Sequence, residues 1–118
     1  MMPRVAVNGC HGKMGALTVQ TIEKNPHFKL VGQFDHHTVL REAIENHQPD
    51  IVIDFTTADS AYANAKIIIE SGKRAIVGTT GFTPAQIATL KRICAKEKLG
   101  AIIAPNFSIS ALLLMRLA

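Results

Sequence analysis

Several residue types that mark particular classes of protein are scarce or missing in this 118-residue chain. It has no tryptophan and one tyrosine, and aromatic residues make up 5% of the sequence. Surfaces that stack nucleic-acid bases need aromatic side chains interleaved with basic ones, and the sequence shows no such pattern. The formal charge of +4 is spread along the chain, with one cluster at residues 91–98 that we interpret as a solvated helix face. We therefore expect no nucleic-acid partner.

Cysteines and long apolar runs are also rare. The two cysteines, Cys10 and Cys94, fall in unrelated settings, so the sequence indicates neither a disulfide framework nor a zinc site and predicts free thiols. No apolar run approaches the roughly 18 residues of a membrane-spanning helix, and residues 1–4 lead into a strand pattern, not into a signal-peptide core. We expect a cytoplasmic protein without membrane contacts.

What the chain does contain is a regular alternation of apolar strand patterns and helical patterns. Its length and 47% hydrophobic content suit one globular domain over residues 1–118. No repeat or low-complexity linker interrupts the alternation, which predicts an α/β fold with a doubly wound parallel sheet. The predicted strands lie at residues 4–7, 28–34, 50–55, 74–77 and 101–104, and the predicted helices at 14–24, 39–48, 57–71, 83–99 and 109–117.

The glycine-rich segment after the first strand carries the strongest functional signal. Gly9, Gly12 and Gly15 are three residues apart, between an apolar strand and a helical pattern. Gly9 would permit a tight turn, Gly12 would let a pyrophosphate approach the backbone, and Gly15 would let the helix pack closely. Unpaired N–H groups and the positive end of the helix dipole would face the same point. Because the spacing is not the usual Gly-x-Gly-x-x-Gly, the strand-loop-helix setting carries the inference of a dinucleotide-binding loop.

An acidic residue at the end of the second strand is the next feature that such a site requires. Asp35 follows that strand directly, where its carboxylate could accept hydrogen bonds from an adenosine ribose. The alternative is a loop aspartate that begins the next helix. His36 and His37 border this position, and partial positive charge there could tolerate the 2′-phosphate of NADP. No further ligand at suitable spacing accompanies the two histidines, so we predict no metal site.

Other loops would reach the same edge of the sheet, because ligands bind outside the carboxyl ends of parallel strands. They lie at residues 55–56, 78–80 and 104–107, and they would offer hydroxyls, backbone donors and an aromatic face. Asp54 ends the third strand and could be a catalytic carboxylate. Since no partner acid, nucleophile or histidine is placed with it, we favour a role in fixing the loop.

Four segments together resemble the dihydrodipicolinate reductase family, which reduces 4-hydroxy-tetrahydrodipicolinate with NADH or NADPH in lysine and diaminopimelate biosynthesis. They are Val-Ala-Val-Asn-Gly-Cys-His-Gly-Lys-Met-Gly at residues 5–15, Val-Ile-Asp-Phe-Thr at 52–56, Gly-Thr-Thr-Gly at 78–81 and Ala-Pro-Asn-Phe-Ser at 104–108. The segments follow the family order and cover the whole chain. The resemblance therefore implies a cofactor-binding domain of an NAD(P)H-dependent oxidoreductase.

The resemblance also implies which residues bind the cofactor. The pyrophosphate would be held by Gly9, Cys10, His11, Gly12, Lys13 and Met14, the adenosine ribose by Asp35 with His36 beside it, and the nicotinamide ribose and ring by Gly78, Thr79, Thr80, Ala104, Pro105, Asn106 and Phe107.

The family's catalytic His-His-x-x-Lys stretch, which also binds the dicarboxylate substrate, has no counterpart in the sequence. We therefore expect the chain to supply the cofactor half without a catalytic residue and to be inactive alone. The family implies that full-length members add a substrate domain and form homo-oligomers. Two alternatives stay open: a non-catalytic NAD(H)-sensing module, and the nucleotide half of another oxidoreductase.

Overall fold

Five parallel strands alternate with four helices along residues 2–78 and 81–103, which are the residues that the computed structural model describes. The elements are β1 (Arg4–Asn8), α1 (Lys13–Lys24), β2 (Lys29–Phe34), α2 (Leu40–His47), β3 (Ile51–Asp54), α3 (Ala58–Glu70), β4 (Arg74–Val77), α4 (Pro84–Glu97) and β5 (Ala101–Ile103). The strands form one sheet in the order β2-β1-β3-β4-β5, and each neighbouring pair is parallel. The predicted doubly wound α/β fold is confirmed. The helix predicted at residues 109–117 lies outside the described residues.

Strand β1 lies inside the sheet between β2 and β3, as its apolar sequence predicts. Val5 and Val7 are fully buried in a cluster that includes Val19 and Ile22 of α1. Ala6 is equally buried but belongs to a second cluster, to which α2, α3 and α4 contribute. Since neighbouring residues of a strand point to opposite faces, the sheet has a hydrophobic core on each face.

The helices largely follow the predicted apolar spacing. Helix α3 buries Ala61, Ala65, Ile68 and Ile69 completely, and Gly72 follows it with a left-handed φ of 81°. Helix α2 differs from the prediction at its start. Val39, the first residue of the predicted helix, is the N-cap residue and is 60% exposed, so the helix and its buried face begin one residue later.

Helix α4 begins with a capping box at its predicted start. The Thr83 hydroxyl accepts from the Gln86 N–H at 3.1 Å, and the Gln86 side-chain oxygen accepts from the Thr83 N–H at 2.9 Å. Pro84 occupies the first helical position, where its missing N–H costs no hydrogen bond. The basic cluster of α4 and its C-terminal end (Lys91, Arg92, Lys96 and Lys98) is exposed, which confirms its interpretation as a solvated surface.

The strand order places a topological switch point between β1 and β3. The connection through α1 leads from β1 to β2 on one side, and the next connection returns to β3 on the other side of β1. The loops that follow β1 and β3 therefore separate and leave a crevice at the carboxyl edge of the sheet, where ligands of such sheets bind.

Candidate functional site

The glycine loop is anchored to the ends of two neighbouring strands. Gly9 has a φ of 82°, and the N–H groups of Gly9 and Cys10 both donate to the Phe34 carbonyl oxygen, at 2.9 and 3.1 Å. A Cβ on Gly9 would lie 2.9 Å from the Phe55 carbonyl oxygen. The predicted tight turn at Gly9 is thus confirmed, and both the backbone conformation and the close approach of β3 favour glycine there.

Helix α1 begins with free backbone donors that point out of its N-terminus. Gly12 is the N-cap, and the first helical hydrogen bond runs from the Ala16 N–H to its carbonyl oxygen at 2.8 Å. The N–H groups of Lys13, Met14 and Gly15 precede that bond, and among the described residues none of them has a hydrogen-bond acceptor. No side chain caps this end, and its first turn carries no acidic residue. These features suit an anionic group.

The remaining two glycines of the motif have different surroundings. A Cβ on Gly12 would meet only the Gly9 carbonyl oxygen, at an ordinary 3.6 Å, so Gly12 borders open space. A Cβ on Gly15 would overlap the Gly9 carbonyl group and lie 3.1 Å from the Cys10 Cα. The close packing predicted at Gly15 is confirmed, although its partner is the loop backbone instead of the strand.

Asp35 directly follows β2 and faces the glycine loop. Its Oδ1 accepts from the His37 N–H at 2.9 Å and from the Thr38 hydroxyl at 3.3 Å, while His11 Nε2 lies 3.2 Å from Oδ2. The His37 N–H is the main cause that holds the pKa of Asp35 below its usual range, and bonds from His11 and Thr38 act in the same direction. Val39 caps α2, so Asp35 does not begin that helix, but its bonds to His37 and Thr38 do make it a loop aspartate.

A cavity of about 520 Å³ lies in the crevice between the loops after β1, β2 and β3. Among the predicted site residues it brings together Gly9, His11, Gly12, Asp35 and His36. Its wall also contains Asn8, Thr38, Leu40, Phe55, Thr56, Thr57, Ser60 and Asn64. The site prediction missed Asn8, Thr38, Leu40, Thr57, Ser60 and Asn64. Two of these carried a sequence signal: Asn8 ends β1 at the carboxyl edge of the sheet, and Asn64 is a polar residue that adjoins the apolar face of α3.

Other predicted site residues do not line this cavity. Cys10 is 6% exposed and packs into the core beneath the loop, where burial raises the pKa of its thiol. Met14 points to solvent and is 42% exposed. Lys13 is exposed at the first position of α1. Predictions for residues 79–80 and 104–107 fall outside the described residues.

The ends of β3 and β4 also meet beside the crevice. The Gly78 N–H donates to the Asp54 carbonyl oxygen at 2.9 Å, and the Phe55 N–H donates to the Asn8 carbonyl oxygen at the same distance. A Cβ on Gly78 would overlap the Phe55 ring. Gly78 therefore lets the Phe55 ring pack against the loop that follows β4, which brings another predicted loop next to the glycine loop.

Asp54 is fully buried at the base of the crevice and binds the loop that follows it. Its Oδ1 accepts from Asn8 Nδ2 and the Thr56 N–H, both at 3.2 Å, and its Oδ2 accepts from the Thr56 hydroxyl at 3.1 Å. Asn64 Nδ2 lies 3.5 Å from Oδ2 and donates to the Thr56 hydroxyl at 3.1 Å. This network confirms the predicted loop-fixing role. Burial raises the pKa of Asp54, and the hydrogen bonds oppose that rise.

The raised pKa of Asp54 leads to a prediction about stability and pH. At pH values between the ordinary pKa of 3.8 and the raised pKa of the folded protein, the folded state binds more protons than the unfolded state. The contribution of Asp54 to stability therefore falls as pH rises. An Asp54→Asn variant lacks this titration. We expect the stability of the wild type relative to Asp54→Asn to fall as pH rises above about 3.8.

Urea unfolding at several pH values measures this difference. Asp59→Asn, which changes an exposed aspartate in the first turn of α3, is the matched control and should show no comparable trend. Parallel stability profiles for the wild type and Asp54→Asn would contradict the prediction.

Within residues 2–78 and 81–103, no helix is long and apolar enough to cross a membrane. In the same residues, no three histidine, cysteine, aspartate or glutamate side chains lie close enough together to hold a metal ion.

Comparison with known proteins identifies the family. Residues 3–107 match the family described as dihydrodipicolinate reductase, N-terminus. The chain belongs to the dihydrodipicolinate reductase family. A curated 4-hydroxy-tetrahydrodipicolinate reductase from Coxiella burnetii (strain RSA 493 / Nine Mile phase I) is 45% identical over 118 residues, which are 100% of this chain and 49% of that protein. The chain thus spans about half the length of the curated dihydrodipicolinate reductases that it matches.

Solved structures agree with the family and with the fold. A dipicolinate-bound dihydrodipicolinate reductase from Paenisporosarcina sp. TG-14 superposes with a TM-score of 0.86 and 32% identity, covering 99% of this chain and 52% of the other. A biliverdin reductase from Synechocystis sp. PCC 6803, in complex with biliverdin and NADP+, gives a TM-score of 0.70 at 16% identity over 83% of this chain and 37% of the other. At that identity, the second match shows a shared fold alone.

Proposed function

We propose that residues 1–118 form the dinucleotide-binding domain of a dihydrodipicolinate reductase. In this role they would hold NADH or NADPH for the reduction of 4-hydroxy-tetrahydrodipicolinate in lysine and diaminopimelate biosynthesis. The observation that carries the proposal is the crevice at the β1–β3 switch point, where an uncapped helix start and a carboxylate border one cavity. A cytoplasmic location is part of the same proposal.

The glycine loop and the start of α1 would bind the pyrophosphate. Gly12 leaves open space in front of the backbone, and the N–H groups of Lys13, Met14 and Gly15 lie at the positive end of the helix dipole. The Cys10 N–H already donates to the Phe34 carbonyl oxygen, and its side chain lies in the core. Cys10 would therefore contribute by holding the loop backbone in its path.

The adenosine end of the dinucleotide would lie against the loop that follows β2. Asp35 would accept hydrogen bonds from the ribose hydroxyls, and its lowered pKa keeps it ionised at neutral pH. His36 also lines the cavity and would border the ribose. Gly78, Thr79 and Thr80 and the segment 104–107 are proposed for the nicotinamide ribose and ring.

The cofactor would supply the hydride, while this domain binds and orients it. Hydride transfer needs the reacting atoms within about 3–3.5 Å in aligned geometry. The Asp54 network would serve that requirement indirectly, because it fixes the loop residues Phe55 and Thr56, which form one wall of the cavity. We propose that the substrate contacts and the proton donor lie in the part of the full-length family members that this chain does not match.

Direct titration of the chain tests the proposal. Calorimetry or nicotinamide fluorescence should detect saturable binding of NADH and NADPH, with some preference for NADH because Asp35 repels a 2′-phosphate. If neither dinucleotide binds at millimolar concentration, the proposed function is wrong.

Removal of the Asp35 carboxylate should change the selectivity as well as the affinity. We expect Asp35→Ala to weaken NADH binding roughly tenfold, because a hydrogen bond to a charged acceptor is lost. NADPH binding should weaken less. Competition titrations of both dinucleotides measure the ratio of the two dissociation constants, with the exposed Asp59→Ala as a control. Equal losses for NADH and NADPH would exclude Asp35 as the ribose ligand.

A further inference from the structure

The proposed function assigns His11 and Asp35 to different parts of the cofactor, yet the two side chains contact each other. His11 Nε2 lies 3.2 Å from Asp35 Oδ2, and this contact joins the glycine loop to the loop after β2 at the cavity wall. The His11 side chain is 77% exposed, and that of Asp35 is 29% exposed. The imidazole is therefore the more solvent-exposed member of this pair, and it contacts the proposed ribose ligand at the cavity wall.

The contact involves the carboxylate oxygen that a ribose would need. Oδ1 of Asp35 already accepts from the His37 N–H and the Thr38 hydroxyl. Among the described residues, His11 is the sole side-chain partner of Oδ2. A ribose hydroxyl that reached Asp35 would therefore share Oδ2 with the imidazole or displace it.

We propose that His11 determines the specificity for the dinucleotide and that its protonation shifts the preference from NADH towards NADPH. This inference rests on the proposed function. The 2′-hydroxyl of NADH would donate to the Asp35 carboxylate, whereas the 2′-phosphate of NADPH at that position would be repelled by it. A protonated His11 places a positive charge beside the carboxylate and offers the phosphate a charged donor. A neutral His11 leaves the repulsion uncompensated.

Other ionisable groups surround this pair and must be separated from it experimentally. His36 lines the cavity, and its ring centroid lies 3.9 Å from that of His37. Lys13 is exposed at the start of α1, and the Cys10 thiol is buried below the loop. The second pKa of a phosphate monoester, about 6, falls in the same pH range. Variants of single histidines separate these contributions, because the phosphate titrates equally in all of them.

The test measures the dissociation constants of NADH and NADPH between about pH 5.5 and 8. It compares the full chain with His11→Gln and His36→Gln, and with His27→Gln as the matched control. His27 is exposed and precedes β2 at the opposite edge of the sheet. Glutamine keeps a polar side chain of similar length but has no titratable charge.

Lowering the pH should increase the affinity for NADPH relative to that for NADH. This increase should be larger in the wild type than in His11→Gln. The expected difference between these two selectivity ratios at the acidic end is about fivefold, the size of one exposed charge pair. Because glutamine can also donate to Oδ2, the change in His11→Gln should appear in the pH dependence of NADPH binding relative to that of NADH. His27→Gln should follow the wild type.

Superimposable selectivity profiles for the wild type and His11→Gln would overturn the inference, and so would equal weakening of NADH and NADPH. If His36→Gln loses the pH effect and His11→Gln keeps it, His36 determines the specificity instead of His11. These results leave the proposed function intact as long as NADH binds. Failure of the wild type to bind either dinucleotide would overturn the proposed function and this inference together.

Discussion

Replacement of Gly12 by valine should abolish dinucleotide binding while the domain stays folded. Gly12 has φ −73° and ψ 167°, an extended conformation that any residue adopts. A Cβ there would contact only the Gly9 carbonyl oxygen at 3.6 Å, so the fold has room for a side chain. The branched side chain would instead fill the cavity in front of the free N–H groups of α1, where the pyrophosphate is proposed to bind.

Binding and folding must be measured on the same Gly12→Val sample. We expect a stability change of about 1 kcal/mol or less from the altered N-cap, measured by urea unfolding, together with no detectable NADH signal in calorimetry. Gly100→Val is the matched control, because a Cβ on Gly100 meets nothing within 4 Å and Gly100 immediately precedes β5, at the other edge of the sheet. Undiminished NADH affinity in Gly12→Val would show that the phosphate-loop assignment is wrong.

The sequence was sufficient to predict the fold because its signals are local. A strand that is apolar on both faces, such as β1, must lie inside a sheet covered on both sides. A Thr-Pro-x-Gln segment specifies where α4 begins, and Gly72 specifies where α3 stops. Val39 shows the limit of this reasoning, since helical spacing alone does not tell an exposed cap residue from the first residue of the buried face.

The candidate site was less predictable because its contacts join loops distant in sequence. His11 and Asp35 are 24 residues apart, and Asn8 and Asp54 are 46 apart. Their contacts depend on the strand order and on the path of each loop. The same holds for Cys10, because loop residues have no periodicity that would assign its side chain to the core.

Gly15→Ala should destabilise the domain strongly, although it replaces glycine by alanine inside a helix. At an unconstrained helical site this change would stabilise by about 1 kcal/mol. Here the new methyl group would overlap the Gly9 carbonyl group. Gly9 cannot retreat easily, because its N–H donates to the Phe34 carbonyl oxygen and the Phe55 carbonyl group, just after β3, lies close on another side. The backbone must therefore shift, and we expect a net loss of about 3 kcal/mol.

The contrast between Gly12 and Gly15 makes this prediction specific, because substitutions at these two glycines of one motif should have different effects. Gly12→Val should lose binding and keep its stability, whereas Gly15→Ala should lose stability first. Urea unfolding of Gly15→Ala measures the loss, and NADH titration below the unfolding midpoint should show weaker binding, because displacement of Gly9 moves the whole phosphate loop. A Gly15→Ala variant as stable as the wild type would mean that α1 does not pack on the loop as closely as the structure shows. In that case the loop would have no rigid support from the helix, and the pre-formed crevice proposed for the dinucleotide would lose its physical basis.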